Sequence, residues 1–372
     1  MNSIIYVGMD VHKENFTLCC YSIDEDELKY KQTIKPDYKL ILKYFETVRK
    51  RYPDKEIEFV CGYEAGCLGY TLYHQLTDRG VKCVILAPTT MAITNNNRIK
   101  TDRRDAGNIA RCLAFHTYSE VNVPTDEDVS VRDYIRMRND QKKLLKVIKQ
   151  QILAFVLRYG FRFDGGKNYW TGKHVAWLKS LDLGGLLQET LKEYLITYDY
   201  LTDKIKRLDQ RIDELADGES YRDKVKKLVC LLGVKTLTAL SVLVEIGDFM
   251  RFAKAEQLAG FLGLVPGEDS SGEKKNRGPI TKAGNSNVRK LLVESAQSYT
   301  RGTIGYKSVD LKRRQSGNDP QVIAYADKAN ERLRRKFYRM TLHKNVNRNV
   351  AATAIARELA CFMWGLMTDN IA

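Results

Sequence analysis

The sequence predicts an N-terminal mixed α/β domain followed by a longer, mainly helical region. In the first 120 residues, short apolar or alternating runs typical of strands interchange with runs of helical periodicity. From about residue 126 to 226 the strand patterns stop, and the region beyond is mainly helical. A chain of 372 residues has room for two or three domains, each with its own apolar core.

Five strands and three helices are predicted in the first domain. The strands are IIYVGMD (4–10), FTLCCYSI (16–23), LKYKQTI (28–34), IEFVCGY (57–63) and VKCVILA (81–87), and the helices cover about 38–51, 67–79 and 102–117. Three strands joined by short turns and then two strand–helix units form the order expected of an RNase H-like sheet.

The next region reads as two long helices, over about 130–159 and 186–216, joined through the Gly- and aromatic-rich loop YGFRFDGGKNYWTG. Apolar residues step by four and three along the second helix, at Leu187, Leu191, Tyr194, Tyr198, Leu201, Ile205, Leu208, Ile212 and Leu215. So regular a seam favours a coiled coil. It can pack on the preceding helix as an antiparallel hairpin, on a second copy, or on both if hairpins pair.

The region beyond residue 226 is helical and basic. KLVCLLGVKTLTALSVLVEIG predicts two apolar helices around a turn at Gly233, like a helix-hairpin-helix element, whose turn presents backbone N–H groups to a phosphate. Lys235 stands where such a turn usually has a second glycine, and an ordinary αα-hairpin in the core is an equal alternative. NVAATAIARELACFMWGLM predicts a closing apolar helix.

Charge and composition indicate a nucleic-acid partner. The formal net charge is +15, from 61 Lys+Arg against 46 Asp+Glu, and a surface of this kind attracts polyanions. By inspection no apolar run approaches a membrane span, and the N-terminus lacks a signal-peptide layout, so we expect a cytoplasmic, nucleoid-associated protein. The eight cysteines lack paired C-x-x-C spacing and are expected to be reduced core thiols.

Four acids are the candidate catalytic residues. Asp10 closes the first strand and Glu64 follows the fourth, at the carboxyl edge where open α/β sheets keep their sites. Asp102 and Asp105 begin a helix, and a spacing of three puts both on one face. Clustered carboxylates repel one another, and one or two Mg²⁺ ions would neutralise them and assist phosphoryl transfer. Alternatively, Asp102 is a helix N-cap and Asp105 an ordinary first-turn acid.

Basic residues accompany these acids. Lys13 follows Asp10 closely and could contact a phosphate near the metals. Arg103 and Arg104 point elsewhere on the helix, to a phosphate backbone or simply to solvent. His12 could act as a general base, although a two-metal site does not require one.

A second candidate site lies in FLGLVPGEDSSGEKKNRGPITKAGNSNVRKLL (261–292). Ser270 and Ser271 precede Gly272, which permits a sharp turn and close approach of a substrate backbone. A serine becomes a nucleophile when its proton is removed and the charge on its target is neutralised. The cations that could neutralise a phosphodiester here are Lys274, Lys275, Arg277, Lys282 and Arg289. A passive phosphate-binding loop is the alternative, followed by a helix capped by Asn285 or Ser286.

The stretch KANERLRRKFYRMTLHKNVNR (328–348) combines eight Lys or Arg with one acid, Glu331. We predict nucleic-acid contacts from Arg334, Arg335 and Arg339, and a core face from Leu333, Phe337 and Met340.

GMDVHK, CGYEAG, KTDRRDA, LLGVKTLTA, LGLVPGEDSSG and ITKAGNSNVRKLL, in this order, resemble the IS110 family of insertion-sequence transposases. These are RuvC-like DEDD recombinases with a C-terminal serine domain. The resemblance implies that Asp10, Glu64, Asp102 and Asp105 bind Mg²⁺ and that Ser271 is the nucleophile. It divides the chain into a RuvC-like domain (1–125), a helical coiled-coil linker (126–226) and a C-terminal transposase domain (227–372).

The resemblance also implies a non-coding bridge RNA that pairs with donor and target DNA, and a dimer or tetramer in which the two kinds of domain meet from different subunits. The leading hypothesis is therefore a transposase that cuts and rejoins DNA strands. The alternatives are a structure-selective nuclease of the Holliday-junction type, which forms no covalent protein–DNA adduct, and a non-catalytic RNA-binding scaffold, which magnesium chelation would leave unaffected.

Overall fold

The computed structural model describes residues 2–66, 68–88, 102–268 and 277–371, with the backbone alone at residues 2, 102–104 and 277. The chain divides into two compact units, Met1–Val123 and Pro124–Ala372. The helical segment after residue 126 and the C-terminal region fall in the same unit, so their separation at residue 226 stays a prediction.

The first unit is a mixed five-stranded sheet with helices on both faces. Its strands are β1 (Asn2–Val11), β2 (Phe16–Ser22), β3 (Glu27–Ile34), β4 (Glu56–Glu64) and β5 (Lys82–Leu86), and its helices are α1 (Tyr38–Arg49), α2 (Thr71–Thr77) and α3 (Asp102–Phe115). The strand order is β3-β2-β1-β4-β5. Strands β1, β2 and β3 pair antiparallel, whereas β1, β4 and β5 pair parallel. The predicted succession of three strands and then two strand–helix units is confirmed, and the predicted strands and helices recur with their ends moved by a few residues.

Alternation along β1 separates the two faces of this sheet. Ile5, Val7 and Met9 are buried in the core that includes residues of α1 and α2, whereas Tyr6 belongs to the core on the α3 side. Gly8 lies on the α3 face as well, because residues two apart on a strand share a face. A Cβ atom at Gly8 would stand 1.9 Å from the Ala106 carbonyl oxygen and 2.4 Å from the Ala110 nitrogen. The missing side chain therefore lets α3 lie directly on β1.

We expect Gly8→Ala to loosen the packing of α3 on the sheet. The added methyl group would meet backbone atoms, which cannot rotate away, and overpacking of this kind costs about 1–3 kcal/mol or more. Hydrogen exchange followed by mass spectrometry should show faster exchange in peptides of β1 and α3. Gly62→Ala is the matched control with a smaller effect, since its Cβ would meet side-chain ends, Leu86 Cδ1 at 2.8 Å and Leu113 Cδ2 at 3.0 Å. Unchanged protection in Gly8→Ala would contradict this account of the packing.

The second unit is mainly helical. Its helices are α4 (Asp126–Arg158), α5 (Gly172–Ser180), α6 (Gly185–Ala216), α7 (Arg222–Leu228), α8 (Thr236–Ile246), α9 (Ala255–Phe261), α10 (Ser286–Ala296), α11 (Val309–Gln315), α12 (Pro320–Tyr338) and α13 (Arg348–Met367). A short hairpin of β6 (Pro266–Glu268) and β7 (Arg277–Ile280) interrupts them, a 3-10 turn covers Gln297–Tyr299, and a π-helix covers Arg339–His343.

The two long helices form a hairpin. Helix α4 begins at Asp126, four residues earlier than predicted. The helix begins there because the Thr125 hydroxyl accepts a hydrogen bond from the Asp128 N–H. The α6 seam packs inward, with Leu191, Tyr198, Leu201 and Ile212 buried. Arg138 on α4 is 7% exposed and donates two hydrogen bonds, of 2.7 and 2.9 Å, to the Asp209 carboxylate on α6. The structure thus contains the hairpin packing; pairing with a second copy stays a prediction.

The turn at Gly233 joins α7 to α8 as predicted, with a backbone φ of +80°. Arg314 on α11 donates hydrogen bonds to the carbonyl oxygens of Val229 and Val234, and Gln315 donates to that of Cys230. Seven residues of α8 are buried. The surroundings are those of an αα-hairpin in the core, and phosphate contact by this turn stays a prediction.

Helix α13 corrects the sequence estimate that no segment approaches a membrane span. By length and composition alone, helix α13 (Arg348–Met367) is long and apolar enough to cross a membrane, with a mean hydropathy of 1.4. Half of that window is buried, and residues such as Ile355, Leu359 and Met363 belong to the main C-terminal core. The core helix of a globular protein meets the same criteria of length and composition.

The described cysteines are free thiols, and six of them are buried: Cys19, Cys20, Cys61, Cys83, Cys112 and Cys230. Cys67 lies outside the described residues.

Candidate active site

Asp10 and Glu64 lie side by side at one edge of the sheet. The parallel register pairs Gly8 with Gly62 and ends at Met9 and Tyr63, so the two acids follow at the next position of adjacent strands. Neighbouring strands are about 4.8 Å apart. Gly8 and Gly62 both face α3, and each acid stands two residues beyond its glycine. Asp10 and Glu64 therefore lie on the α3 face of the sheet.

The first turn of α3 lies at the same edge. Arg111 and Phe115 contact the ring of Tyr21, which pairs with Tyr6, whereas Ala106 lies on Gly8. Helix α3 and strand β1 thus run in opposite directions, so the N-terminal end of α3 lies near the C-terminal end of β1. From Ala106 back to Asp102 the helix rises about 6 Å, and from Gly8 to Asp10 the strand advances about 6.6 Å. The backbone of Asp102 is therefore level with Asp10, and half-buried Asp105 belongs to the same turn.

The surroundings of Asp10 are polar. Its side chain is 14% exposed, and the His12 Nε2 atom lies 3.2 Å from its Oδ2 atom. His12 begins the β1–β2 turn, in which its N–H donates to the Asn15 carbonyl oxygen. Lys13 is exposed in this turn, three residues from Asp10. Glu64 is exposed as well, so the site is accessible to a substrate from the side of Glu64.

The donor chemistry of this edge suits magnesium, which prefers oxygen ligands. In the turn after Asp10, the Asn15 Oδ1 atom is buried and makes no hydrogen bond to any described residue, which leaves a further oxygen unsatisfied. Among the described residues, no three Asp, Glu, His or Cys side chains form a metal-binding group. Asp10, Glu64 and half-buried Asp105 therefore do not form such a group by themselves in this structure. The Asp102 side chain lies outside the described residues, so joint metal binding by the four acids stays a prediction.

The predicted serine loop connects the two strands of the β6–β7 hairpin. Pro266 pairs with Ile280 at the base of the hairpin, and Glu268 pairs with Arg277 where the loop begins and ends. Ser270, Ser271, Lys274 and Lys275 lie outside the described residues, and of Arg277 only the backbone is described. The hairpin therefore brings the ends of the loop together in the second unit, while the positions of the serines stay a prediction.

Close backbone contacts hold the base of this hairpin. A Cβ atom at Gly284 would stand 1.8 Å from the Phe261 carbonyl oxygen, and one at Gly263 would stand 2.2 Å from the Ala283 carbonyl oxygen. Arg289 donates hydrogen bonds of 2.9 Å to the carbonyls of both Leu262 and Ala283. The half-buried Arg289 guanidinium thus stabilises the base of the hairpin through backbone carbonyls. The sequence predicts instead that Arg289 contacts a phosphate of the nucleic acid. Lys282 is exposed beside Arg289.

Sequence reasoning missed Glu245, which anchors the helix after the serine loop. Its side chain is 5% exposed and accepts hydrogen bonds of 2.9 and 2.8 Å from Arg136 and of 2.7 Å from Asn285. Burial would raise the pKa of Glu245, but these hydrogen bonds and the Arg136 charge outweigh burial and lower the pKa. Asn285 caps α10, its Oδ1 atom accepting from the N–H groups of Asn287 and Val288. The available signal was a lone acid in the apolar run SVLVEIG.

The three predicted cations on and after α12 have different surroundings. Arg335 and Arg339 are exposed, and Arg335 pairs with Glu331 at 2.5 Å. Arg334 is 7% exposed, and one of its guanidinium nitrogens donates to the Thr303 carbonyl oxygen. The prediction for Arg334 is thus wrong for this structure, because it lies on the inward face with Leu333 and Phe337, where it cannot reach a phosphate backbone.

Comparisons with known proteins identify the family of the chain. Residues 7–161 match the DEDD_Tnp_IS110 family model, described as a transposase, and residues 226–305 match the model described as "Transposase IS116/IS110/IS902 family". Both units thus carry segments typical of a transposase that acts on DNA. The chain belongs to the IS110 family of transposases.

Individual relatives cover most of the chain. The transposase for insertion sequence element IS1533 of Leptospira borgpetersenii is 33% identical over 91% of this chain and 96% of its own length. The Sinorhizobium fredii protein y4qE is 34% identical over 98% of this chain and 88% of its own. The transposase for insertion sequence element IS1111A of Coxiella burnetii is 25% identical over 88% of each chain. The DEDD domain implies a divalent metal, typically Mg²⁺.

Proposed function

We propose that this chain is the recombinase of a mobile element, which excises and inserts the element by cleaving and rejoining DNA strands. The single observation that carries the proposal is the meeting of Asp10, Glu64 and the start of α3 at one edge of the sheet. Acids clustered without a cation would repel one another, whereas bound divalent ions would neutralise them and assist phosphoryl transfer.

Asp10, Glu64, Asp102 and Asp105 would hold one or two Mg²⁺ ions in this proposal. The bound ions would supply charge neutralisation at the oxygens of the scissile phosphate. His12 contacts the Asp10 carboxylate and thereby restricts its orientation. Lys13 and the first-turn residues Arg103 and Arg104 would bind the phosphates on either side of the reacting one.

Ser271 is the proposed nucleophile. Its hydroxyl oxygen attacks the scissile phosphorus, an oxygen–phosphorus bond forms, the bond to the leaving sugar oxygen breaks, and the serine proton passes through water to that oxygen. One ester replaces another, so rejoining by the reverse step requires no external energy source. Lys274, Lys275, Arg277 and Lys282 would neutralise the phosphate around Ser271. Arg289 would act by bracing the loop.

The proposed division of labour follows the domains 1–125, 126–226 and 227–372. The first supplies the acids, the second associates copies of the chain, and the third supplies Ser271 to the acids of another copy in a dimer or tetramer. The half-buried seam residues Tyr194, Ile205 and Leu208 would become further covered at such a contact.

We further infer that a non-coding bridge RNA selects the donor and target DNA, in the cytoplasm of a bacterial or archaeal cell at the nucleoid. The excess of 61 Lys+Arg over 46 Asp+Glu supports binding of both nucleic acids. Base pairing would then read the sequence while the protein holds phosphates and helix shape.

The test is recombination between a donor and a target plasmid by protein purified with its copurifying RNA. We expect product only with this RNA and Mg²⁺ present, loss on ribonuclease treatment or chelation, and recovery when either is restored. Full activity of RNA-free protein would contradict guidance, and full activity under chelation would contradict the metal site.

A further inference from the structure

One face of α12, continued by the first residue of the π-helix that follows it, carries a row of cations that the proposed active site does not use. Arg332, Arg335, Lys336 and Arg339 stand at positions i, i+3, i+4 and i+7, which share one side of a helix. Like charges at this spacing repel one another and destabilise a helix. The row therefore needs anions nearby, from the protein or from a ligand.

The protein supplies only part of the required negative charge. Glu358 on α13 is 11% exposed and lies 2.6 Å from Arg332 Nε and 2.5 Å from Lys336 Nζ. Glu331 pairs with Arg335. Within the described parts of the chain, no ion pair engages the Arg339 side chain. Four cations thus face two acids.

Glu358 is held as an anion between two cations. Burial would raise the pKa of Glu358, but the hydrogen bond and charge of Lys336, and then those of Arg332, outweigh burial and lower the pKa. A carboxylate on two cationic side chains occupies the place that a phosphate would take. Its presence keeps Arg332 and Lys336 in position while no polyanion is bound.

These residues line a cavity rather than a flat surface. It has a volume of about 740 Å³, and its walls include the four cations, Glu358, and His343 at the end of the π-helix. Single-turn π-helical segments occur frequently at functional sites, and this one turns the chain so that His343 joins the cavity wall.

We propose that this cavity, formed by Arg332, Arg335, Lys336, Arg339 and His343, binds the phosphodiester backbone of a single-stranded or looped nucleic-acid segment. A flexible single strand can bend to lay one or two phosphates into the cavity, whereas a stiff duplex presents its phosphates only along a regular helix. Glu358 is the internal competitor of those phosphates. The inference rests on the proposed function, because the cavity would be a second binding site for a nucleic acid of the recombinase, remote in sequence from Ser271.

The test measures binding of full-length, RNA-stripped protein to fluorescent 20-nucleotide RNA, single-stranded DNA of the same sequence, and the 20-base-pair duplex. The double variant Arg335→Gln with Arg339→Gln removes two exposed cations. We expect its dissociation constant for single strands to rise about tenfold or more, and the salt slope to fall by about 0.7 per lost contact. Binding of the duplex should change little.

A matched control is Lys143→Gln with Arg211→Gln. It also removes two exposed cations, each paired with an acid one turn away on the α4/α6 hairpin. Its single-strand affinity should stay within about twofold of wild type. Equal losses in both double variants would overturn the proposal, because they would reflect net charge alone.

Glu358→Gln provides a test of opposite sign. Removing the internal competitor while keeping the shape should tighten single-strand binding about threefold or more. Weaker or unchanged binding in a variant whose thermal melting matches wild type would overturn the role of Glu358. For the double variant Arg335→Gln with Arg339→Gln, a loss of affinity confined to RNA would support the proposal with RNA as the ligand. A loss of affinity for both RNA and single-stranded DNA would support it with either nucleic acid as the ligand.

The binding assay separates this inference from the proposed function. If wild type binds single strands and the cavity variants bind equally well, the cavity proposal fails and the recombinase proposal stands. If wild type binds no nucleic acid of any form, both fail.

Discussion

Asp10→Asn is expected to abolish recombination while leaving the fold intact. The change keeps the size of the side chain and removes the negative charge that a divalent ion requires. Asp10 lies at the sheet edge beside Glu64 and level with the first turn of α3. Loss of the charge stabilisation that a metal supplies costs about 10³-fold or more in rate. The measurement is product formation from donor and target plasmids at saturating Mg²⁺, with hydrogen exchange as the check on folding.

Glu14→Gln is the matched control for this variant. Glu14 is an exposed acid in the same β1–β2 turn, four residues from Asp10. Its neutralisation should change the rate by less than about threefold, since an exposed charge is screened by solvent and salt. Recombination at the wild-type rate by Asp10→Asn would contradict the assignment of Asp10 to the metal site.

Ser271→Ala is expected to abolish strand cleavage as well as recombination. The variant lacks the hydroxyl oxygen that forms the ester with phosphorus in the proposed step, so cleavage through Ser271 cannot occur. Binding of RNA and DNA should stay within about twofold of wild type, because the cations that bind phosphates are untouched. Gel-shift and cleavage assays on the same preparation measure the two properties.

Ser270→Ala is the neighbouring control, as it removes a hydroxyl from the same loop. It should retain cleavage, with a rate reduced by less than about tenfold if only loop conformation is disturbed. The opposite pattern, with Ser270→Ala inactive and Ser271→Ala active, would transfer the nucleophile to Ser270.

The strand-end part of the site follows from the sequence because it depends on local rules. Alternation in IIYVGMD and IEFVCGY sets the strands, and two parallel strands carry their carboxyl ends to one edge. The same two runs contain Gly8 and Gly62, whose pairing lets α3 lie close to the sheet. The register between strands and the direction of α3 come from tertiary packing, so they required the structure.

The segment around α5 shows the opposite case. The predicted loop YGFRFDGGKNYWTG is confirmed, because residues 159–171 lie outside the helices α4 and α5, but α5 itself, which begins at Gly172, was not predicted. In the structure Thr171 caps α5, and fully buried His174 packs on Phe163, Tyr169 and Trp177 with ring centroids 4.9–5.5 Å apart. These contacts stabilise a helix that its nine residues alone would not favour.

The cations of α12 show why composition alone misassigns contacts. Arg334 and Arg335 are identical neighbours, and only their positions around the helix separate a buried guanidinium from an exposed one. Glu358 was missed for the same reason, because a single acid within an apolar helix gives no sign of the cations on α12 that it meets. Side-chain partners from distant segments are set by packing between elements.

The most direct test of the central claim is mass spectrometry of protein trapped on a nicked or mismatched DNA substrate in the presence of RNA and Mg²⁺. The account predicts a covalent nucleotide adduct on the peptide that contains Ser271, localised to that residue, and absent when Asp10 is replaced by asparagine. Cleaved DNA without any adduct on the protein would contradict it and would indicate hydrolysis by water.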